Sequence, residues 1–266
     1  MAARMDYPKM MLRPGTFIDL QWYRSTEARD IISCISHRNL QKRKVFGLLE
    51  KPSVPLASSL EEYKYKILIY GKTGVGKTST VAKLSGNDIP SSHCETPGIQ
   101  VTEIYWPAKV VEYNKVVMFE LEIWDAGENS MKKFDHILPA LKEKADGILF
   151  LFSCTDKSSF QDLPQYMSKI QDSDDNLCKL VLGTKFDLHA QSEITLRDIR
   201  EFESLYHLPI LRIKNIPLYH PSESRSEISE VAPILNMICE CLWQRDLMLA
   251  GKLTNFQEDG QQMSYV

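Results

Sequence analysis

The string GKTGVGKT, Gly71 to Thr78, constrains this chain more than any other feature. It follows the apolar run KYKILIYG and precedes the helix-forming run KTSTVAKLSG. A G-x-x-x-x-G-K-[ST] pattern between a strand and a helix is a phosphate loop. Gly71, Gly74 and Gly76 let the backbone curl until several N–H groups point inward. With the helix N-terminus behind them, those donors form an anion nest. The candidate cradle is therefore Gly71, Lys72, Thr73, Gly74, Val75, Gly76, Lys77, Thr78 and Ser79. Lys77 supplies a charge to the β- and γ-phosphates, and the Thr78 hydroxyl a ligand to Mg²⁺.

A strand that feeds such a loop belongs to a parallel sheet. Further apolar runs are VVMFELEIW, GILFLFS, KLVLG and LPILRI, with helical stretches at Ser158 to Gln171, Thr195 to Tyr206 and about Ile228 to Leu249. That alternation predicts βαβ units, and right-handed crossovers place helices on both faces. Two extended runs around EYNK predict one hairpin. The expected fold is α/β: a mostly parallel six-stranded sheet with one antiparallel edge strand.

Three segments are expected: an N-terminal extension over 1–62, the main domain over 63–250, and a flexible tail over 251–266. Residues 1–24 show no clear period. Ala28, Ile31, Ile32 and Ile35 form the stripe of an amphipathic helix. KPSVPLASS reads as a linker. A net charge of -3 gives no overall case for nucleic acid or an anionic membrane. HRNLQKRK is basic and suits a helix end. The six cysteines show no zinc spacing and fit free thiols in a reducing cytosol. ILFLF is too short to span a bilayer. No cysteine near the C-terminus offers a prenylation site, and residue 2 is not Gly, so no lipid anchor is expected.

The phosphate loop leaves the base open, and LVLGTKFD, Leu180 to Asp187, narrows it. A carboxylate at Asp187 can accept from guanine N1–H and N2–H₂, a donor pair that adenine lacks. The stem of Lys185 can cover the base plane. The segment resembles the Asn-Lys-x-Asp element of small GTPases, with Thr184 in the place of Asn and some bracing expected to be lost.

With GKTGVGKTST, EIWDAGE and FLFSCTDKSSFQDLPQYMSKI, this resemblance identifies a Ras-superfamily small GTPase of Rab-like texture over about Tyr63 to Leu249. The long N-terminal arm, WPAK, KFDHILPAL and the missing lipid site resemble the Rem/Rab-like branch found in the ciliogenesis and planar polarity effector (CPLANE) complex. The resemblance implies a P-loop GTPase fold, GTP/GDP and Mg²⁺ as ligands, and Inturned and Fuzzy as partners. It also implies a cytoplasmic protein at the cilium basal body, active in cilium assembly and protein or vesicle targeting. Membranes would be reached only through other proteins. Exchange factor and activating protein stay open.

By the same resemblance Thr96, in CETPGIQV, completes the Mg²⁺ shell when a γ-phosphate is present, together with Thr78, and with Asp125 acting through water. Pro97 biases that loop toward order. Ile213 and Lys214 stand where a backbone N–H meets the base. In EIWDAGENS the switch pattern Asp-x-x-Gly-Gln is altered: Gly127 lies only two positions after Asp125, and Glu128 follows in place of Gln. Gly127 and Glu128 are the candidate catalytic pair. Glu128 has no N–H₂ donor for the transferring phosphoryl oxygens, so slow intrinsic hydrolysis is expected. One alternative is a GTP-locked subunit acting as a scaffold. Another is a P-loop kinase, against which stands the lack of any Arg between Arg43 and Arg197. Trp106, Trp124 and Tyr105 are expected to pack near the hairpin or to form an effector surface. The terminal SYV offers a short carboxylate-ligand motif.

Overall fold

Alternation of buried residues along the central strands assigns each sheet face its own core. In β1 (Glu61–Tyr70), Tyr65, Ile67 and Ile69 enter one apolar cluster and Leu68 the other. β4 (Gly147–Ser153) and β5 (Cys178–Thr184) divide in the same way. Leu149, Leu151, Leu180 and Leu182 face one side, and Ile148, Phe150, Phe152 and Val181 the other. A period of two with both faces buried is the signature of a parallel sheet covered by helices. The computed structural model describes residues 13–36, 60–90, 92, 96, 98–127, 143–170, 176–216 and 224–252. Pro97, Glu128, the HRNLQKRK segment and the terminal SYV lie outside them.

The sheet has six strands in the order β2-β3-β1-β4-β5-β6. β2 (Ile99–Val110) and β3 (Lys115–Ala126) form the hairpin, and β2 is the antiparallel edge. All other pairings, ending with β6 (Ile210–Arg212), are parallel. Pro107 is tolerated because an edge strand can lack a donor. α1 (Thr26–Ser36) precedes the sheet. α2 (Lys77–Leu84) follows β1, and α3 (Lys157–Gln161) and α4 (Leu163–Ile170) follow β4. α5 (Leu196–Tyr206) follows β5, and α6 (Ser224–Leu249) closes the described order. α2 and α6 serve one core, α4 and α5 the other. No helix among the described residues is long and apolar enough to cross a membrane.

The described part of the N-terminal arm differs from a loose lead-in. Phe17, Ile18, Trp22, Tyr23, Ala28 and Ile32 are buried in the first core. Ile18 pairs with Val110 at the end of β2; Asp19 N–H donates to Lys109 O at 2.9 Å and Val111 N–H to Phe17 O at 2.8 Å. The arm thus adds a single antiparallel bridge to the sheet edge. Its other side meets a polar row on α6. Glu240, 2% exposed, accepts from Thr16 N–H at 2.9 Å, from Phe17 N–H at 3.1 Å and from Ile18 N–H at 2.6 Å. One turn earlier, Asn236 accepts from Trp106 Nε1 at 2.7 Å and donates to Leu20 O at 3.2 Å. Residues four apart lie on one helix face, so Asn236 and Glu240 hold successive parts of the arm. Trp106 and Tyr105 are buried here, which removes them from an exposed effector surface.

Candidate functional site

The carboxyl ends of β1, β3, β4 and β5 come together. Ile69 is level with Asp125, Tyr70 with Phe150 and Ser153 with Thr184. β1 lies between β3 and β4, and the strand order reverses there; such a reversal opens a crevice beyond the strand ends. The phosphate loop fills it. A Cβ on Gly71 would lie 2.4 Å from Leu151 O, so only Gly lets the loop start against β4. Gly74 and Gly76 take positive φ of 80° and 98°, left-handed conformations that side chains resist. Val75 is buried, and α2 begins at Lys77 directly after Gly76.

Lys77 is nearly buried and folds over the loop. Its ammonium donates to Gly71 O at 2.8 Å and Lys72 O at 3.1 Å. Lys72 extends to Asp156 at 3.4 Å, joining the loop to the segment after β4. Three oxygen-bearing side chains from three separate segments converge next to Lys77. Thr78 Oγ1 donates to Asp125 Oδ2 at 2.6 Å, Thr96 Oγ1 donates to the same oxygen at 3.2 Å, and the two hydroxyls lie 2.9 Å apart. Asp125 is 2% exposed, and its Oδ1 is buried without a hydrogen-bond partner. An octahedral Mg²⁺ with oxygens at about 2.1 Å spaces adjacent ligand oxygens about 3 Å apart. The hydroxyl and carboxylate separations match that spacing, and the orphaned Oδ1 supplies further acceptor capacity. The residues fit a hard divalent cation. The acidic triplet Glu103, Glu120 and Glu122 is different: Lys64 already lies 2.8 Å from Glu120 and 2.6 Å from Glu122.

Gly127 is placed at the end of β3, and its N–H donates to Gly98 O at 3.1 Å. That donor is taken by the segment carrying Thr96. This bond continues the β2–β3 ladder one residue past the Ile99–Ala126 pair.

On the base side, Thr184 braces the loop despite its short side chain. Its hydroxyl reaches Val75 O at 2.5 Å and Phe152 O at 3.0 Å. β5 delivers it straight beneath the phosphate loop, so the expected loss of bracing does not occur. Lys185 adopts φ 58° and caps a 3₁₀ turn, Phe186–Gln191, that carries half-buried Asp187. Cys154, which sequence reasoning did not select, donates its S–H to Lys185 O at 2.9 Å. Burial, with the Asp187 carboxylate behind it, raises the Cys154 pKa and keeps the thiol protonated as a donor.

Ile213 requires a correction. Its side chain is in the core, and its N–H donates to Gly183 O at 2.9 Å. It continues the β5–β6 pairing, so this N–H is not available to a base. Lys214 is exposed. The following residue, Asn215, was missed. Its Nδ2 donates to Thr80 Oγ1 at 3.0 Å, beside the phosphate loop. The run LRIKN carries no motif that fixes the register of this loop.

Comparison with known proteins agrees with this arrangement. The Ras family model matches residues 66–213. The chain is 43% identical over 239 residues to ciliogenesis and planar polarity effector 2 of Xenopus laevis, covering 88% of this chain and 95% of that protein. It is 42% identical over 247 residues to the Homo sapiens protein of that name, covering 91% and 95%. Ras-related protein Rab-1D of Dictyostelium discoideum is 26% identical over 153 residues, 56% of this chain and 70% of that protein.

Proposed function

Because the chain belongs to the Ras family, we propose that it is a guanine-nucleotide switch with slow intrinsic hydrolysis, acting in cilium assembly. The convergence of Thr78, Thr96 and Asp125, whose Oδ1 has no partner, at the start of α2 carries this reading. Thr78 and Thr96 would hold Mg²⁺ by their hydroxyls and Asp125 would hold it through water, so that the ion neutralises phosphate charge. Gly71 to Ser79 would cradle the phosphates. Lys185 would cover the base, Asp187 would read guanine N1–H and N2–H₂, and Lys214 would offer the backbone on the far side.

The engaged Gly127 N–H supports slow turnover. To meet a γ-phosphate, that donor must first leave Gly98 O. Glu128, next in sequence, brings negative charge rather than an amide donor toward an anionic group, and positioning dominates phosphoryl transfer. Relatives named for ciliogenesis and planar polarity support the cilium role. Inturned and Fuzzy are the proposed partners, the basal body is the proposed location, and membranes are reached through the partners.

The test is binding of fluorescent GDP, GTP and ADP with and without Mg²⁺, followed by single-turnover hydrolysis. Guanine-selective, Mg²⁺-dependent binding is expected, with hydrolysis slower than that of a Rab run in parallel. Inserting one residue between Asp125 and Ala126, together with Glu128→Gln, should raise the rate. Equal binding of ADP refutes the base assignment, and a Rab-like rate refutes the slow-hydrolysis assignment.

A further inference from the structure

Two struts rise from the base side of the site to the turn that ends the phosphate loop. One is Thr184 from β5. The other is Asn215, three residues past β6. Asn215 Nδ2 donates to Thr80 Oγ1 at 3.0 Å. Thr80 is fully buried, and its own N–H donates to Gly76 O at 2.9 Å. A Cβ on Gly76 would lie 3.5 Å from Asn215 Nδ2 and 3.8 Å from Thr184 Oγ1. The amide and the hydroxyl therefore flank one glycine, whose φ of 98° shapes the phosphate cradle.

Asn215 Oδ1 is shut away from solvent with no hydrogen-bond partner. A buried unsatisfied acceptor opposes folding, and such a group calls for a reason other than packing. An apolar side chain of similar size would remove that opposition but also the link to Thr80. Among the described residues, the other hydrogen bonds of this loop run toward the base side: Ile213 N–H to Gly183 O, and Phe186 N–H to Ile213 O at 3.4 Å. Asn215 supplies its hydrogen bond to α2.

We infer that Asn215 is a positioning residue that couples the base loop to the phosphate loop, so that ordering one end of a bound guanine nucleotide orders the other. This rests on the proposed guanine-nucleotide reading. Coupling through Thr80 makes a specific demand: Asn215→Leu must speed nucleotide release without lowering the stability of the nucleotide-free protein.

The experiment measures release of fluorescent GDP and thermal melting for wild type, Asn215→Leu, Thr80→Val and the double variant, all as the full chain with Mg²⁺. Asn215→Leu should melt no lower than wild type without added nucleotide, yet release GDP about tenfold faster. Thr80→Val should accelerate release similarly, and the double variant should go no further. Where Asn215→Leu does not fold, Asn215→Ala removes the amide without branching bulk and reads the same rate. Wild-type release from the Asn215 variants, or fully additive effects in the double variant, overturns the coupling. A wild-type protein that holds no GDP overturns the guanine-nucleotide reading instead, and the wild-type control reveals this first.

Discussion

Asp125 and Glu240 are both carboxylates about 2% exposed, one at each end of the β2–β3 hairpin region, and the fold treats them oppositely. Glu240 receives three consecutive backbone N–H groups from the arm. Asp125 shares one oxygen between two hydroxyls and leaves the other without a partner. Buried polar groups are ordinarily paired. A carboxylate whose partners all come from its own chain holds structure together. One left open among convergent oxygens is arranged for something that arrives later.

Asp125→Ala tests the open end and carries the largest expected effect on nucleotide binding. It should weaken Mg²⁺-dependent guanine-nucleotide affinity on the order of 100-fold, read by titration with fluorescent GDP at fixed Mg²⁺. The denaturant midpoint without nucleotide should move far less than in the Glu240 variant, and equal losses of stability in the two would break the comparison. Glu240→Ala tests the closed end. Leaving three N–H groups unpaired should cost about 3–5 kcal/mol of unfolding free energy. Nucleotide affinity of the folded protein should stay within about twofold, as for distant independent sites.

Thr184→Val sharpens the contrast within the site. It keeps the shape of the side chain but leaves Val75 O without its donor, and should reduce GDP affinity by about 1–3 kcal/mol, measured by isothermal titration. The smallest effect is a pH dependence. Burial raises the Glu240 pKa against the lowering pull of the Phe17, Ile18 and Thr16 amides. A raised carboxyl pKa favours the protonated form in the folded state. Its contribution to stability is therefore greatest below the ordinary glutamate value and declines as pH rises through the folded value. The unfolding free energy of wild type minus that of Glu240→Gln should fall from pH 4 to pH 7, and a rise would reverse the assignment.

The phosphate loop and the parallel strands were legible because each is a local pattern. Glycine placement dictates the turn, and period-two burial assigns the faces. The pairing of Thr78 with Asp125 was legible through the resemblance of EIWDAGENS to a switch motif. The arm was not, because its residues are bound mainly through their own backbone to a glutamate 222 to 224 positions away. A main-chain bond leaves no trace in side-chain periodicity. Asn215 and Cys154 escaped for a related reason: each acts by bracing a loop from behind, and any residue with a suitable donor at the right place can do that. Thr184 was misjudged by side-chain length alone, because strand direction rather than reach sets its distance to Val75.

The hydrogen bond from Gly127 to Gly98 has a kinetic consequence. It sews the end of β3 to the start of β2, so opening one segment at that point opens the other. Amide exchange at Gly127 should follow the same cooperative event as loosening around Gly98, rather than a separate fluctuation. Two loops joined in this way keep a single clock, and a partner that grips either of them slows both.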